Sequence, residues 1–120
     1  MDDISNIRIT EQNDRFLTRL VSELNIFKDD KSAAMFAISF AINHDYDIAI
    51  DEGYTLSNPT INKWDANSID NDGLFRLLVS IRHPNSDCPF RIIQGILDVG
   101  LKKMKEEAPE NGFIRISSFL

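Results

Sequence analysis

One cysteine, one tryptophan and two histidines are all that 120 residues contain of these types. A lone Cys88 excludes an intrachain disulfide and any metal site built from cysteines. A reactive thiol also needs a base beside it; the sequence identifies none, so Cys88 reads as structural. His44 and His83 do not form the paired-histidine spacing of a metal-binding helix, and the acidic residues do not follow a calcium-loop spacing. There is no glycine-rich phosphate loop and no recognisable nucleophile–base pair. The expectation is therefore no catalytic residue, no metal and no cofactor. No apolar run approaches the roughly 18 residues of a membrane span. The start, Met1-Asp-Asp-Ile-Ser-Asn6, lacks the basic and apolar regions of a secretory signal, so the cytoplasm is the expected location and no membrane partner is expected.

Basic residues are also in the minority. Thirteen bases against nineteen acids give a net charge of −6. That balance favours solubility and works against indiscriminate binding of nucleic acid, while leaving room for a local contact. The one basic cluster, Lys102, Lys103 and Lys105, runs straight into Glu106 and Glu107 and reads as a solvated helix end.

What the chain does have is a concentrated apolar stretch, Lys31-Ser-Ala-Ala-Met-Phe-Ala-Ile-Ser-Phe-Ala-Ile-Asn43. From Ala33 to Ile42 only Ser39 is polar, and neither Gly nor Pro interrupts it, so it is a helix. Ala34, Met35, Ile38, Ala41 and Ile42 fall on one side, Phe36 and Phe40 on another. A helix apolar all round needs cover on every side, from its own chain or from a second one.

The rest of the chain is arranged about this helix. Asn6-Ile-Arg-Ile-Thr10 alternates strictly and predicts a half-buried strand with Ile7 and Ile9 inward. Thr10 suits a helix N-cap, and Leu17, Leu20, Val21 and Leu24 give residues 11–25 a buried face that ends at Asn25. Asp29 or Asp30 can cap the central helix. Residues 43–53 read as a solvated acidic loop with a brief extended run at Ile48 and Ile50. Residues 54–67 form a connector, with one strand at Thr60-Ile-Asn-Lys-Trp64 and Trp64 as a plug between the two halves of the chain. Leu74, Leu77, Leu78 and Ile81 repeat the buried-face spacing in a third helix that ends before Pro84, leaving His83 at its surface end. Pro89 opens a fourth helix, to about Glu106, with Ile92, Ile93, Ile96, Leu97, Leu101 and Met104 as its stripe. Gly95 and Gly100 lie within that helix, where small residues permit close approach of a neighbour. Ala108-Pro-Glu-Asn-Gly112 breaks it, and Phe113-Ile-Arg-Ile-Ser117 predicts a last strand before Phe119 and Leu120.

Strand, amphipathic helix, short turn and buried helix within about forty residues resemble the ribbon-helix-helix fold. The resemblance rests on Ile7-Arg-Ile-Thr10, Phe16-Leu-Thr-Arg-Leu-Val21 and Asp30-Lys-Ser-Ala-Ala-Met-Phe-Ala-Ile38. It implies a homodimer in which two chains pair their strands and share a core. Ile7, Ile9, Met35, Phe36, Ile38 and Phe40 would then form the interface. In DNA-binding members, outward strand residues read the major groove and the second helix holds a phosphate at its N-terminus. The corresponding residues are Asn6, Arg8 and Thr10 for the bases, and Lys31 and Ser32 for the phosphate.

Taken whole, the layout is similar to small proteins encoded with bacterial DNA-modification and restriction systems, including those associated with DNA phosphorothioation. Leu24-Asn-Ile-Phe27, the central helix, Asp72-Gly-Leu-Phe-Arg-Leu-Leu78 and Ile92-Ile-Gln-Gly-Ile-Leu-Asp-Val-Gly-Leu101 carry that likeness. In place of a basic exit from the second helix this chain has Asn43-His-Asp-Tyr-Asp47. The expectation is a mostly α protein with short strands. Its parts are a ribbon-helix-helix-like unit at residues 5–44, a connector at 45–67 and a C-terminal helical pair with a terminal strand at 68–120, together forming one domain. The expected role is a non-catalytic accessory of a DNA-modification or antiphage defence system, with a partner protein of that system and duplex DNA as candidate partners. The alternative is a ribbon-helix-helix regulator or antitoxin acting on operator DNA.

Overall fold

Strand β1 (Asn6–Thr10) leads directly into helix α1 (Glu11–Thr18), because Thr10 ends one and caps the other. In this computed structural model, which describes residues 2–107, the Thr10 hydroxyl accepts the Asn13 N–H at 3.1 Å. A π-helical turn, Arg19–Glu23, extends α1, and the chain leaves it at Asn25 with a left-handed φ of 52°. Asparagine tolerates that conformation better than most residues. Helix α2 is Asp30–Asn43, capped by Asp29, whose carboxylate accepts the Ser32 N–H at 2.7 Å. Then come strand β2 (Thr60–Asp65), a single helical turn α3 (Ala66–Ile69), α4 (Leu74–Arg82) and α5 (Pro89–Glu107).

The orphan strand finds its partner in its own chain. β1 pairs antiparallel with β2, Ile7 opposite Trp64, Ile9 opposite Ile61 and Thr10 opposite Thr60. A bulge between Ile7 and Arg8 leaves Lys63 out of the ladder. The displaced Lys63 ammonium bridges Asp14 of α1 and Asp30 of α2, at 2.8 and 3.0 Å. Burial works against its charge, but the two carboxylates outweigh it and raise its pKa. Trp64 is half-buried, paired in this ladder and packed on the core.

Helix α2 obtains its cover mainly from α5, with α1, its π turn and α3 adding the rest. Ala33, Ala34, Ala37, Ile38 and Ala41 are fully buried. Small residues let α2 and α5 approach closely, and Gly100 marks the contact. A Cβ there would sit 2.3 Å from the Ala37 carbonyl oxygen, which is backbone and cannot rotate aside. Gly95 serves a different neighbour, since a Cβ there would meet Ile50 at 2.6 Å and the Tyr54 ring at 3.1 Å. Each fully buried Ile or Leu of the α5 stripe contributes roughly 1.5–3 kcal/mol of apolar burial.

The structure is thus mostly α with one two-stranded antiparallel sheet, followed by helices. Within the chain, β2 supplies the antiparallel partner for β1 that the resemblance assigns to a second chain's strand. Ile7, Ile9 and Ile38 are fully buried within the chain and Phe40 nearly so. They serve its own core and are not available to an interface. Met35 and Phe36 are half-buried, with Phe36 against Phe27 at 5.3 Å between ring centres. The strand expected at residues 113–117 lies outside the described residues.

Candidate functional site

The outer face of the β1–β2 ribbon carries Asn6 and Arg8 from one strand and Asn62 from the other, all exposed. The Arg8 guanidinium donates to the Thr60 hydroxyl at 3.0 and 3.2 Å, and its backbone N–H donates to Gln94 of α5 at 2.8 Å. A cleft of about 320 Å³ beside it runs from Asp3 to Asn62. Asn6 and Arg8 are brought together as the sequence expects, while Thr10 is buried and spent on capping α1. The start of α2 differs from the expected phosphate clamp. The Ser32 N–H is satisfied by Asp29, so a protein carboxylate occupies the position where a bound anion would sit. That hydrogen bond, seconded by Lys28 and Lys31, holds the Asp29 carboxyl below its ordinary pKa. Lys31 is half-buried beside it.

Three buried aspartates, Asp70, Asp47 and Asp98, organise the opposite side. Asp70 is 1% exposed and accepts the N–H groups of Phe75 and Arg76 at 2.8 and 3.0 Å, together with Arg76 Nε at 2.8 Å. It fixes the N-terminus of α4. Asp47, fully buried, takes both arms of Arg82 at 2.6 and 2.7 Å, and Arg82 also reaches Asp45. The two carboxylates raise the Arg82 pKa still further, and the clamp fixes the C-terminus of α4. The acidic loop is therefore folded onto the molecule and not solvated throughout. His83 is drawn in with it, 13% exposed and with Nε2 3.5 Å from Asp47 Oδ2, so it is not a surface residue.

Asp98 is the third. It accepts the Asn13 amide at 2.9 Å, the Tyr54 hydroxyl at 2.5 Å and the Lys102 ammonium at 2.9 Å. Burial, then the hydrogen bond to Asp98, pushes the Tyr54 phenol well above the ordinary tyrosine value. Beside α4 a cleft of about 630 Å³ is lined by Asp51, Glu52, Arg82, His83 and Ser86. Its polar groups are largely committed. Glu52 accepts the Ser86 hydroxyl and the N–H groups of Asp87 and Cys88, which hold its carboxyl below the usual range. Cys88 is buried, and burial raises its thiol pKa, the opposite of an activated nucleophile.

Between its two anchors, α4 presents an apolar stripe to solvent. Leu74, Leu77 and Ile81 are 50%, 56% and 67% exposed, whereas Phe75 and Val79 face the core. The sequence pattern places Leu74, Leu77, Leu78 and Ile81 inward; Leu78 does pack against the core, but the structure turns the other three outward. Ile48, in the loop clamped to Arg82, is exposed as well, while Ile50 is buried. Among the described residues these four are the exposed large hydrophobics. None of the described helices is long and apolar enough to cross a membrane, and no group of three or more described His, Cys, Asp or Glu is placed to hold a metal ion. The chain matches no family model, no curated protein and no solved structure.

Proposed function

We propose that the protein is a non-catalytic interaction protein that docks a protein partner on the outer stripe of α4. The resemblance supplies the setting, a bacterial DNA-modification or antiphage defence system. The observation that carries this reading is the exposure of Leu74, Leu77 and Ile81 on one helix face. Asp70 and the Asp47–Arg82 clamp hold that helix at both ends, so the face is presented rigidly. A fixed apolar face binds with less loss of conformational entropy than a mobile one. The test is co-purification from the host, comparing the native chain with Leu77→Asp. Loss of a stoichiometric partner in the variant, with an unchanged circular dichroism spectrum, supports the reading. A partner retained by the variant overturns it.

A second reading has support from the ribbon. Its outer face offers Arg8 and Asn6, side chains that pair with guanine and adenine, as in ribbon-helix-helix proteins. Against it stand Asp29 at the start of α2 and the two carboxylates that neutralise Lys63. If duplex DNA is bound, affinity falls steeply with salt and Arg8→Ala removes base discrimination. Anisotropy titrations at low salt that show no binding exclude it. A homodimer, in either reading, has to use surface other than Ile7, Ile9 and Ile38.

A further inference from the structure

Resting on the reading of α4 as a contact face, we infer that the partner presents a basic amphipathic helix. Its apolar side lies along Leu74, Leu77 and Ile81, and its lysines or arginines meet the carboxylates at the two ends of that stripe. Charge, the adjoining cleft and the form of the stripe lead there.

α4 carries two arginines and no lysine, and both arginines are committed. Arg76 Nε is 2.8 Å from Asp70, and the guanidinium lies 5.2 Å from the centre of the Phe90 ring. Arg82 is held by Asp47 at 2.6 Å and by Asp45 at 2.7 Å. One guanidinium cannot cancel two carboxylates, and the Asp45 side chain stays largely exposed. At the other end of the helix Asp72 is exposed and accepts the Leu74 N–H at 3.1 Å, which sets a carboxylate against the first residue of the stripe. α4 and its anchors therefore join four carboxylates to two guanidiniums, a negative rim about an apolar centre. A rim of one sign selects a partner of the other.

The cleft of about 630 Å³ extends the rim. It adjoins the C-terminal end of α4, because Arg82, His83 and Pro84 line it, and Asp51 and Glu52 line it as well. Glu52 accepts from the Ser86 hydroxyl and two backbone N–H groups, and Asp51 accepts from the Gly53 N–H. These donors are neutral, so they fix the carboxylates without cancelling their charge. A lysine or arginine can lay its apolar stem along Ile81 and carry its charge into this recess.

The form of the stripe selects a helix. Leu74, Leu77 and Ile81 stand at i, i+3 and i+7 and cover roughly 10 Å of axis. α4 offers side chains there, not a strand edge. An extended peptide laid on them would press its own backbone polar groups against apolar surface without partners. A helix satisfies its backbone internally, and its side-chain ridges fit the grooves of another helix.

The same rim works against a second copy. A two-fold axis brings one surface against itself, so Asp45 and Asp72 of each copy would face carboxylates of the other, and like charges across an interface are disfavoured.

The test uses two dye-labelled synthetic peptides of about 15 residues, with the same leucines at three- and four-residue spacing. One carries lysine at the flanking positions and the other glutamate. Each is titrated with the full chain at low salt and followed by fluorescence anisotropy. The lysine peptide should bind at least about tenfold more tightly than the glutamate peptide, and added salt should narrow the gap. Leu77→Ser with Ile81→Ser should weaken it about tenfold. Asp45→Asn with Asp72→Asn should weaken it several-fold; there Asp47 still holds Arg82 and the new amide oxygen can still accept the Leu74 N–H. A proline at the centre of the lysine peptide should weaken it several-fold, because the helix is broken. Equal affinity for the two peptides, no binding of the lysine peptide, or binding unchanged by the serine pair overturns the proposal. Equal binding of the proline peptide overturns its helical form. Self-association of the native chain in light scattering that the serine pair abolishes also overturns it, in favour of a second copy. If the lysine peptide fails while Leu77→Asp still loses its host partner, the contact face stands and only the chemistry assigned to the partner is wrong. If the peptide behaves as expected and Leu77→Asp retains its host partner, the face accepts a basic helix and that partner uses another surface.

Discussion

Asp98 shows how much a single side chain does in this molecule. It lies 1% exposed on α5 and gathers Asn13 from α1, Tyr54 from the connector and Lys102 from its own helix. The missing side chain at Gly95 lets the Tyr54 ring come near enough to donate. Replacing Tyr54 with Phe should cost about 1.5–3 kcal/mol, the worth of a hydrogen bond to a charged group, measured by urea unfolding at neutral pH. The pH dependence has a definite sign. A phenol whose folded pKa is raised stabilises fully below the unfolded value of 10.0 and loses that contribution as pH rises above it. The native chain should therefore weaken above about pH 10, and Tyr54→Phe should flatten that limb; an equal slope in both would remove Tyr54 as its source. None of this is legible in the sequence. One helical turn from Asp98 lie Gln94, Gly95, Leu101 and Lys102, a mixed set that assigns it to neither side. Asp47, in a run of acidic residues, looks like its solvated neighbours until Arg82 is known to face it.

Elements were far more legible. The alternation of residues 6–10 marks β1, the pattern at residues 60–64 marks β2 to within a residue, and Asp29 and Pro89 open α2 and α5 where capping chemistry puts them. The rotation of α4 was not. Its sequence carries two apolar stripes, Leu74-Leu77-Ile81 and Phe75-Val79, and helical spacing alone cannot rank them. Asp70 and the Asp47–Arg82 clamp turn the second one inward, and the clamp joins residues 35 apart, which helical spacing cannot register. Phe75→Ala should cost about 3–5 kcal/mol, whereas Leu77→Ser should stay within about 0.5 kcal/mol. Thermal or urea unfolding of the two variants checks this, and the opposite ranking would restore the face that periodicity suggested. Gly100→Ala tests the α2–α5 contact. Its Cβ would meet the Ala37 carbonyl at 2.3 Å and the Ala41 Cβ at 3.3 Å, neither of which can rotate aside, so the helices must separate, at a cost of about 1–3 kcal/mol or more. A variant as stable as the native chain would contradict that packing.

At the scale of the whole molecule, β1, α2 and the stripe of α5 are satisfied within one chain. Unfolding midpoints should consequently not move with protein concentration, as they must when a second copy completes the core. Differential scanning calorimetry over a hundredfold dilution checks it, and a rising midpoint at higher concentration would reinstate an obligate dimer. The identity of β1's partner was hidden because strand pairing across a long connection leaves no local mark. The Arg8–Thr60 bond joins residues 52 apart, and Asp3 accepts the Arg91 N–H across 88. That wiring has a consequence for the chain as it is being made. Translation proceeds at about 5–20 residues per second, so β1 waits several seconds outside the ribosome before β2 emerges. Its Ile7 and Ile9 then have nothing to pair with, and a short apolar strand in that condition is open to pairing with a neighbouring nascent chain. Asp2, Asp3 and Arg8 put charge beside that strand, the kind of residue that discourages pairing between copies, and once α5 has formed Asp3 accepts the N–H groups of Phe90 and Arg91.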